Sequence, residues 1–182
     1  MTANVTLRRA DASDAEVFHQ IRAEPGASRY QPLRPYSLNR LRDMLDHRAN
    51  QALDRHHAGK VQWLIESGGE PAGWITLEVT SREHGVASIG YTVMGAFHGR
   101  GIATAATRQV VALAFDGDVL DLDRLEAVAA VENTASRRVL TRAGFREEGI
   151  ARGLLVIDGV RVDHVRFGLL RKDRASSPVE SD

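Results

Sequence analysis

The sequence predicts a mixed α/β domain in which a central, mostly antiparallel sheet of about seven strands carries helices on both faces. Three observations lead there. Seven segments read as strands and four as helices from apolar periodicity and end signals. Early strands are joined by turn-rich hairpin sequence, which favours antiparallel pairing. The second half then passes strand, helix, strand, helix and two further strands, an order that lays helices on the sheet.

In chain order, Val5 to Arg9 alternates apolar and polar residues as a half-buried strand does. Ser13 followed by Glu16 has the spacing of a capping box, opening a helix to about Glu24 that Pro25 and Gly26 stop. Pro32 to Pro35 excludes regular helix. Ser37 then caps a second helix, in which Leu38, Leu41, Met44 and Leu45 share a face, expected to reach about His57. Val61 to Glu66 and Gly73 to Thr80 flank the turn Ser67-Gly68-Gly69-Glu70-Pro71 as a hairpin, and Val86 to Met94 adds a strand. After Gly101, the residues Ile102, Ala106, Val110 and Leu113 mark one face of a helix ending near Phe115, with Gly117 beyond it. Leu125 to Val131 is a strand of small and β-branched residues. Asn133 or Thr134 caps a short helix closed by Gly144, and strands over Phe145 to Ile157 and Val160 to Leu170 complete the sheet. The polar segment Ala175 to Asp182 lacks periodicity and is expected to be disordered, leaving one domain over 1–174.

The 182 residues suffice to bury a continuous core without staples. Lys+Arg and Asp+Glu both number 24, so the broad positive field of a nucleic-acid binder is not expected. No apolar run reaches the roughly 18 residues of a membrane span. The first residues lack the apolar stretch of a secretory signal, and there is no cysteine, which fits the cytoplasm. His56 and His57 are adjacent and cannot share a helical face, while His84, His98 and His164 are isolated, so no metal is expected.

The string Phe97-His98-Gly99-Arg100-Gly101-Ile102-Ala103-Thr104 lies between a predicted strand and a predicted helix. Unpaired amides and the dipole at a helix start favour an anion, and glycine lets backbone approach it. A tight strand-to-helix turn alone would use the same glycines. Two nucleotide motifs compete. A Walker A loop needs lysine and then serine or threonine after its last glycine, where Ile102 and Ala103 stand, and is rejected. A dinucleotide fingerprint shares Gly99 and Gly101, and Asp121 or Asp123 follows about 20 residues on as a ribose-binding acid would. Its third glycine is missing, and roughly half the chain precedes the loop.

Downstream, Val131-Glu132-Asn133-Thr134-Ala135-Ser136 opens the short helix and sets Asn133 and Ser136 one turn apart. Singly, Asn133 is an ordinary cap and Ser136 an exposed helix residue. In this order, and with Gly149-x-x-Arg152 and Asp158-Gly159-x-x-x-Asp163-His164 after them, the two strings resemble the GNAT superfamily of N-acetyltransferases. The likeness is greatest to its branch similar to ribosomal-protein alanine N-acetyltransferases, and covers Val5 to about Arg171. The family signature Gln/Arg-x-x-Gly-x-Gly/Ala falls on His98 to Ala103, with His98 in place of Gln or Arg.

The resemblance implies a single GNAT-like domain with splayed central strands and acetyl-coenzyme A as co-substrate. It implies acetyl transfer to a primary amine, either a peptide or protein N-terminus or a small molecule, by direct attack through a tetrahedral intermediate. It places the pyrophosphate on His98, Gly99, Arg100, Gly101, Ile102, Ala103 and Thr104, and the pantetheine on the main chain of Val93 and on Asn133. Ser136 falls beside the thioester sulfur. Arg100, Arg108, Arg137, Arg138 and Arg142 are candidates to face the 3′-phosphate. Tyr30 and Tyr36, in the proline-rich segment where family members vary specificity, are candidate substrate walls.

Such a transfer needs a neutral amine, a polarised carbonyl and a stabilised thiolate. A backbone amide near Val93 suits the carbonyl and Ser136 the thiolate. Some relatives carry glutamate where Leu155 stands, and Leu155 accepts no proton. Glu78, Asp163, His164 or a water chain are then the candidate bases, with Glu78 taken beside Ser136 as catalytic. At pH 7 an α-amine of pKa about 7.8 is roughly one-tenth neutral and a lysine amine well under a thousandth, so low-pKa acceptors such as peptide N-termini or amino sugars are expected. Trp63, Trp74 and Tyr91 are assigned to the core. A non-catalytic acetyl-coenzyme A sensor is the alternative that Leu155 motivates, and an NAD-binding oxidoreductase the other. A homodimer is kept as an expectation.

Overall fold

The structure, a computed structural model, describes residues 4–174; the disorder expected for 175–182 lies outside them. Its seven strands are β1 (Val5–Arg9), β2 (Gly59–Ser67), β3 (Glu70–Ser81), β4 (Val86–Val93), β5 (Arg124–Ala130), β6 (Arg146–Ile157) and β7 (Val160–Leu170). They form one sheet in the order β1-β2-β3-β4-β5-β7-β6. Every neighbouring pair is antiparallel except β4 and β5, which are parallel. A parallel pair needs a crossover, and the helix between these strands supplies it.

The helices are α1 (Ala15–Ala23), α2 (Leu38–Ala49), α3 (Ile102–Phe115), α4 (Thr134–Arg142) and the short α5 (Arg171–Arg174). They divide the core in two. Phe18 and Ile21 of α1 and Leu41 and Leu45 of α2 pack with Leu64 and Trp74, whereas Ile102, Ala106 and Val110 of α3 pack with Val61, Ile75 and Leu77. Helices on both faces explain why Val61 to Ile65 is buried throughout. No helix among the described residues is long and apolar enough to cross a membrane.

Two boundaries differ from the sequence reading. The first cap is Asp11, which pairs with Asp14 as a capping box around a short 3-10 turn, because its carboxylate reaches the Ser13 amide directly. The second helix stops at Ala49 and does not reach His57. Arg9 donates to the carbonyls of Arg48, Ala49 and Gln51, satisfying the helix end from outside so the chain can leave it.

Candidate active site

The site begins where the sheet comes apart. β4 and β5 pair at Val86–Arg124, Ala87–Leu125 and Ser88–Glu126 and nowhere further along. Met94 donates its amide to Ala72 of β3. By alternation the amides of Thr92 and Gly90 also face β3, and those of Ile89, Tyr91 and Val93 face the gap. The Val93 carbonyl is already used: it accepts from His98 Nε2 at 2.8 Å, which fixes the imidazole tautomer and leaves the Val93 amide as the open group.

Beyond β4 the chain makes a 3-10 turn over Gly95–Phe97, and Gly99 and Gly101 follow at φ 75° and 77°. This left-handed backbone favours glycine, and a Cβ at either position would meet nothing within 4 Å, so the space beside them is open. The first α3 hydrogen bond runs from Ala105 N–H to Gly101 O. The amides of Ile102, Ala103 and Thr104 therefore have no helical acceptor, and Gly101 brings no side chain to cap them.

The gap and this helix start open into one cavity of about 850 Å³. Of the residues singled out from the sequence, Val93, His98, Gly99, Gly101, Ile102, Ala103, Thr104, Asn133, Ser136, Tyr30 and Leu155 all line it. Arg100 does not; its guanidinium lies 5.4 Å from the Phe97 ring centroid. Arg138 and Arg142 line the cavity, whereas Arg137 pairs with Glu147 at 3.0 Å and Arg108 donates to the Arg142 carbonyl. Tyr36 lines a second, smaller cavity of about 240 Å³. The two cavities share Gln31, Gly90 and Tyr91, so they meet on β4.

At α4 the cap is Asn133, whose Oδ1 accepts the Ser136 amide at 3.1 Å, leaving its NH2 group as donor. The Ser136 hydroxyl lies 2.9 Å from the Tyr91 hydroxyl, and Tyr91 also reaches the Ser136 carbonyl at 3.2 Å. Tyr91 packs against the core as expected but is not only a core residue: it lines both cavities. Burial pushes its pKa up to about 12 against the opposing hydrogen bond from Ser136. The clue in the sequence was a phenol among apolar strand neighbours, since a buried tyrosine hydroxyl needs a partner.

The proposed bases lie elsewhere. Glu78 sits opposite Ser88, where β4 and β5 are still paired; it binds Lys60 at 2.8 Å and lines neither cavity. Asp163 accepts the Gly153 amide at 2.6 Å. His164 is buried with Nδ1 bonded to the Val162 carbonyl. Asp121 and Asp123, the candidate ribose acids, are paired with Arg171 at 2.6 Å and 3.3 Å, and neither lines the cavity. Among the described residues the single carboxylate lining either cavity is Glu24, which accepts the Gly95 amide at 2.9 Å. Gln31 donates to Thr92 Oγ1 at 2.8 Å. Glu24 and Gln31 tether the α1–α2 loop to β4 and its exit, and neither was legible from spacing. Among the described residues no group of three or more His, Asp or Glu is placed to hold a metal.

A slot between parallel strands thus ends at uncapped helix amides, and a second cavity reaches the same strand. The chain belongs to the GNAT acetyltransferase family: residues 4–146 match its acetyltransferase (GNAT) domain, which makes the chain an acyltransferase. The uncharacterized N-acetyltransferase p20 of Bacillus licheniformis is 28% identical over 175 residues, 96% of this chain and 97% of that protein. The putative ribosomal N-acetyltransferase YdaF of Bacillus subtilis is 40% identical over 113 residues, 60% of this chain and 61% of that one. Among solved structures, Mycobacterium smegmatis RimJ in complex with CoA-disulfide is 31% identical with a TM-score of 0.80, over 95% of this chain and 85% of that one.

Proposed function

We propose that the chain transfers the acetyl group of acetyl-coenzyme A to a primary amine of low pKa, a peptide N-terminus being the leading class. The observation that carries this reading is the meeting of two cavities at Gly90 and Tyr91, one of which ends in the anion-ready start of α3.

The residues present fit the co-substrate. Three helix-start amides without acceptors and two open-sided glycines suit a pyrophosphate at Gly99 to Thr104. Arg138 and Arg142 supply positive charge along the same cavity for a further phosphate. The gap-facing amides of Tyr91 and Val93 and the Asn133 NH2 suit the amide-bearing pantetheine arm. When bound, acetyl-coenzyme A supplies an acyl group activated as a thioester.

The chain's own groups then have separable tasks. Tyr91 keeps its proton at neutral pH and can donate it to Ser136 Oγ, which turns the Ser136 proton outward as a donor to a departing thiolate. A gap-facing amide of Tyr91 or Val93 can stabilise developing negative charge on the acyl oxygen without reorganising. No carboxylate lines the junction at Gly90 and Tyr91, and Leu155 contributes an apolar wall. An ammonium is costly there, so the amine enters neutral after losing its proton to water.

The test is thiol release from acetyl-coenzyme A with a panel of α-amines, amino sugars and lysine ε-amines at neutral pH. Release above hydrolysis with α-amines, and less with matched ε-amines, is expected. Faster ε-amine acetylation would overturn the low-pKa reading, and cofactor binding with no release for any amine would overturn transfer itself.

A further inference from the structure

The smaller cavity is lined by Arg22, Arg48 and Lys60 and, among the described residues, by no carboxylate. Lys60 is compensated by Glu78 at 2.8 Å, outside the cavity. Among the described residues Arg22 and Arg48 make no ion pair. Each is held by neutral partners instead. Arg22 Nε and Nη2 both donate to the Arg34 carbonyl, with the Tyr36 ring 4.4 Å from the guanidinium carbon. Arg48 Nη1 donates to the side-chain oxygen of Gln62, while Arg9 binds the Arg48 carbonyl and steadies that end of α2. These contacts fix two guanidinium groups in place and leave donors on each unspent. Burial lowers the pKa of both and outweighs what opposes it, the charge of Glu78 and Tyr36 at Arg48 and Tyr36 alone at Arg22.

Half-desolvated arginines are stabilised by an anion, and the guanidinium fork matches a carboxylate in particular. Resting on the acetyl-transfer reading above, we propose that the acceptor is a primary amine carrying a carboxylate a few bonds from the reacting nitrogen, as an acidic peptide N-terminus does. The smaller cavity would hold that carboxylate between Arg22 and Arg48 while the amine reaches Gly90 and Tyr91. At about 240 Å³ the cavity suits a side chain or a chain terminus, not a bulky headgroup. A polyamine brings like charge to the same place and is disfavoured. If the two arginines serve only to cover Tyr36 and Trp74, acceptor charge will not matter.

Thiol release by the full chain with saturating acetyl-coenzyme A separates these outcomes. The probes are alanyl-aspartate amide and its neutral isostere alanyl-asparagine amide, free aspartate and free asparagine, and spermidine. Expected is a kcat/KM for alanyl-aspartate amide at least about tenfold above the asparagine isostere, the discrimination one charge-assisted hydrogen bond supplies. That ratio should shrink with added salt, fall towards one in Arg48→Gln, and leave spermidine the slowest amine. If free aspartate outruns the dipeptide amide, the carboxylate recognised belongs to a free amino acid, within the same chemistry. Equal rates for the aspartate and asparagine amides, or a preference for spermidine, would overturn the proposal while leaving acetyl transfer standing. No thiol release with any amine would instead overturn the transfer reading and this proposal with it. Should Arg48→Gln fail to fold, the salt dependence of the wild-type ratio decides.

Discussion

Replacing Gly101 by alanine separates a turn from an anion site. Gly101 sits at φ 77° with open space where a Cβ would stand, so the substitution collides with nothing and costs only the left-handed backbone. That strain is about 1–2 kcal/mol for an L-residue. In a chain of this size it corresponds to a melting temperature lower by about 2–8 °C. Gly159, in the turn between β6 and β7, is a matched control: φ 80°, equally open space, and no part in either cavity. Gly101→Ala and Gly159→Ala should therefore lose similar stability by thermal melt. Their affinities for coenzyme A by calorimetry should part, since only Gly101 lines the cavity, next to the unpaired amides at the start of α3. Loss of one hydrogen bond to a charged phosphate is worth about 1.5–3 kcal/mol, or roughly ten- to hundredfold in Kd. Equal coenzyme A affinity in the two variants would show that these glycines make a turn and nothing more.

Three other outcomes follow from the same geometry. Ser136→Ala should lower kcat about tenfold to a hundredfold with coenzyme A affinity nearly unchanged, and Tyr91→Phe should act in the same direction but less; a KM effect without a kcat effect would remove both from the leaving-group side. With an α-amine acceptor, log kcat/KM should rise with pH up to the amine's own pKa of about 7.8 and then stay level. Tyr91, pushed up to about 12, holds its proton below that value, so an alkaline fall near pH 9 would contradict its role as donor. Asn133→Ala removes the α4 cap and should cost about 1 kcal/mol and some 2–4 °C in melting temperature, together with weaker coenzyme A binding. Unchanged affinity would confine Asn133 to capping.

The strands were legible because β2, β3 and β7 carry strong apolar patterns, and the glycine-rich turn between β2 and β3 marked those two as a hairpin; the pairings of β1 with β2 and of β5 with β7 join segments distant in sequence and were not legible. The open turn ahead of α3 was legible for a local reason: Gly99 and Gly101 are set by backbone dihedrals that few other residues accept. What could not be read depends on distant partners. The end of α2 is decided by Arg9, forty residues away in sequence from the carbonyls it caps. Glu78 looked available because its partner Lys60 lies on another strand, and Tyr91 looked inert because Ser136 lies on another helix. The tethers made by Glu24 and Gln31 are equally non-local.

The parting of β4 from β5 leaves this protein with a strand edge in the middle of its own sheet. An open edge ordinarily invites another chain to pair with it and aggregate. Here the slot opens into a cavity that α4 and the tethered loop also line. A ligand lying along it would do the work of an eighth strand and knit two half-sheets together. Amide hydrogen exchange would register this as a stutter along β4, slowed at Tyr91 and Val93 on ligand addition and unaltered at Gly90 and Thr92, which are already committed to β3. Such an odd-even pattern would be the mark of a sheet whose missing member is not protein.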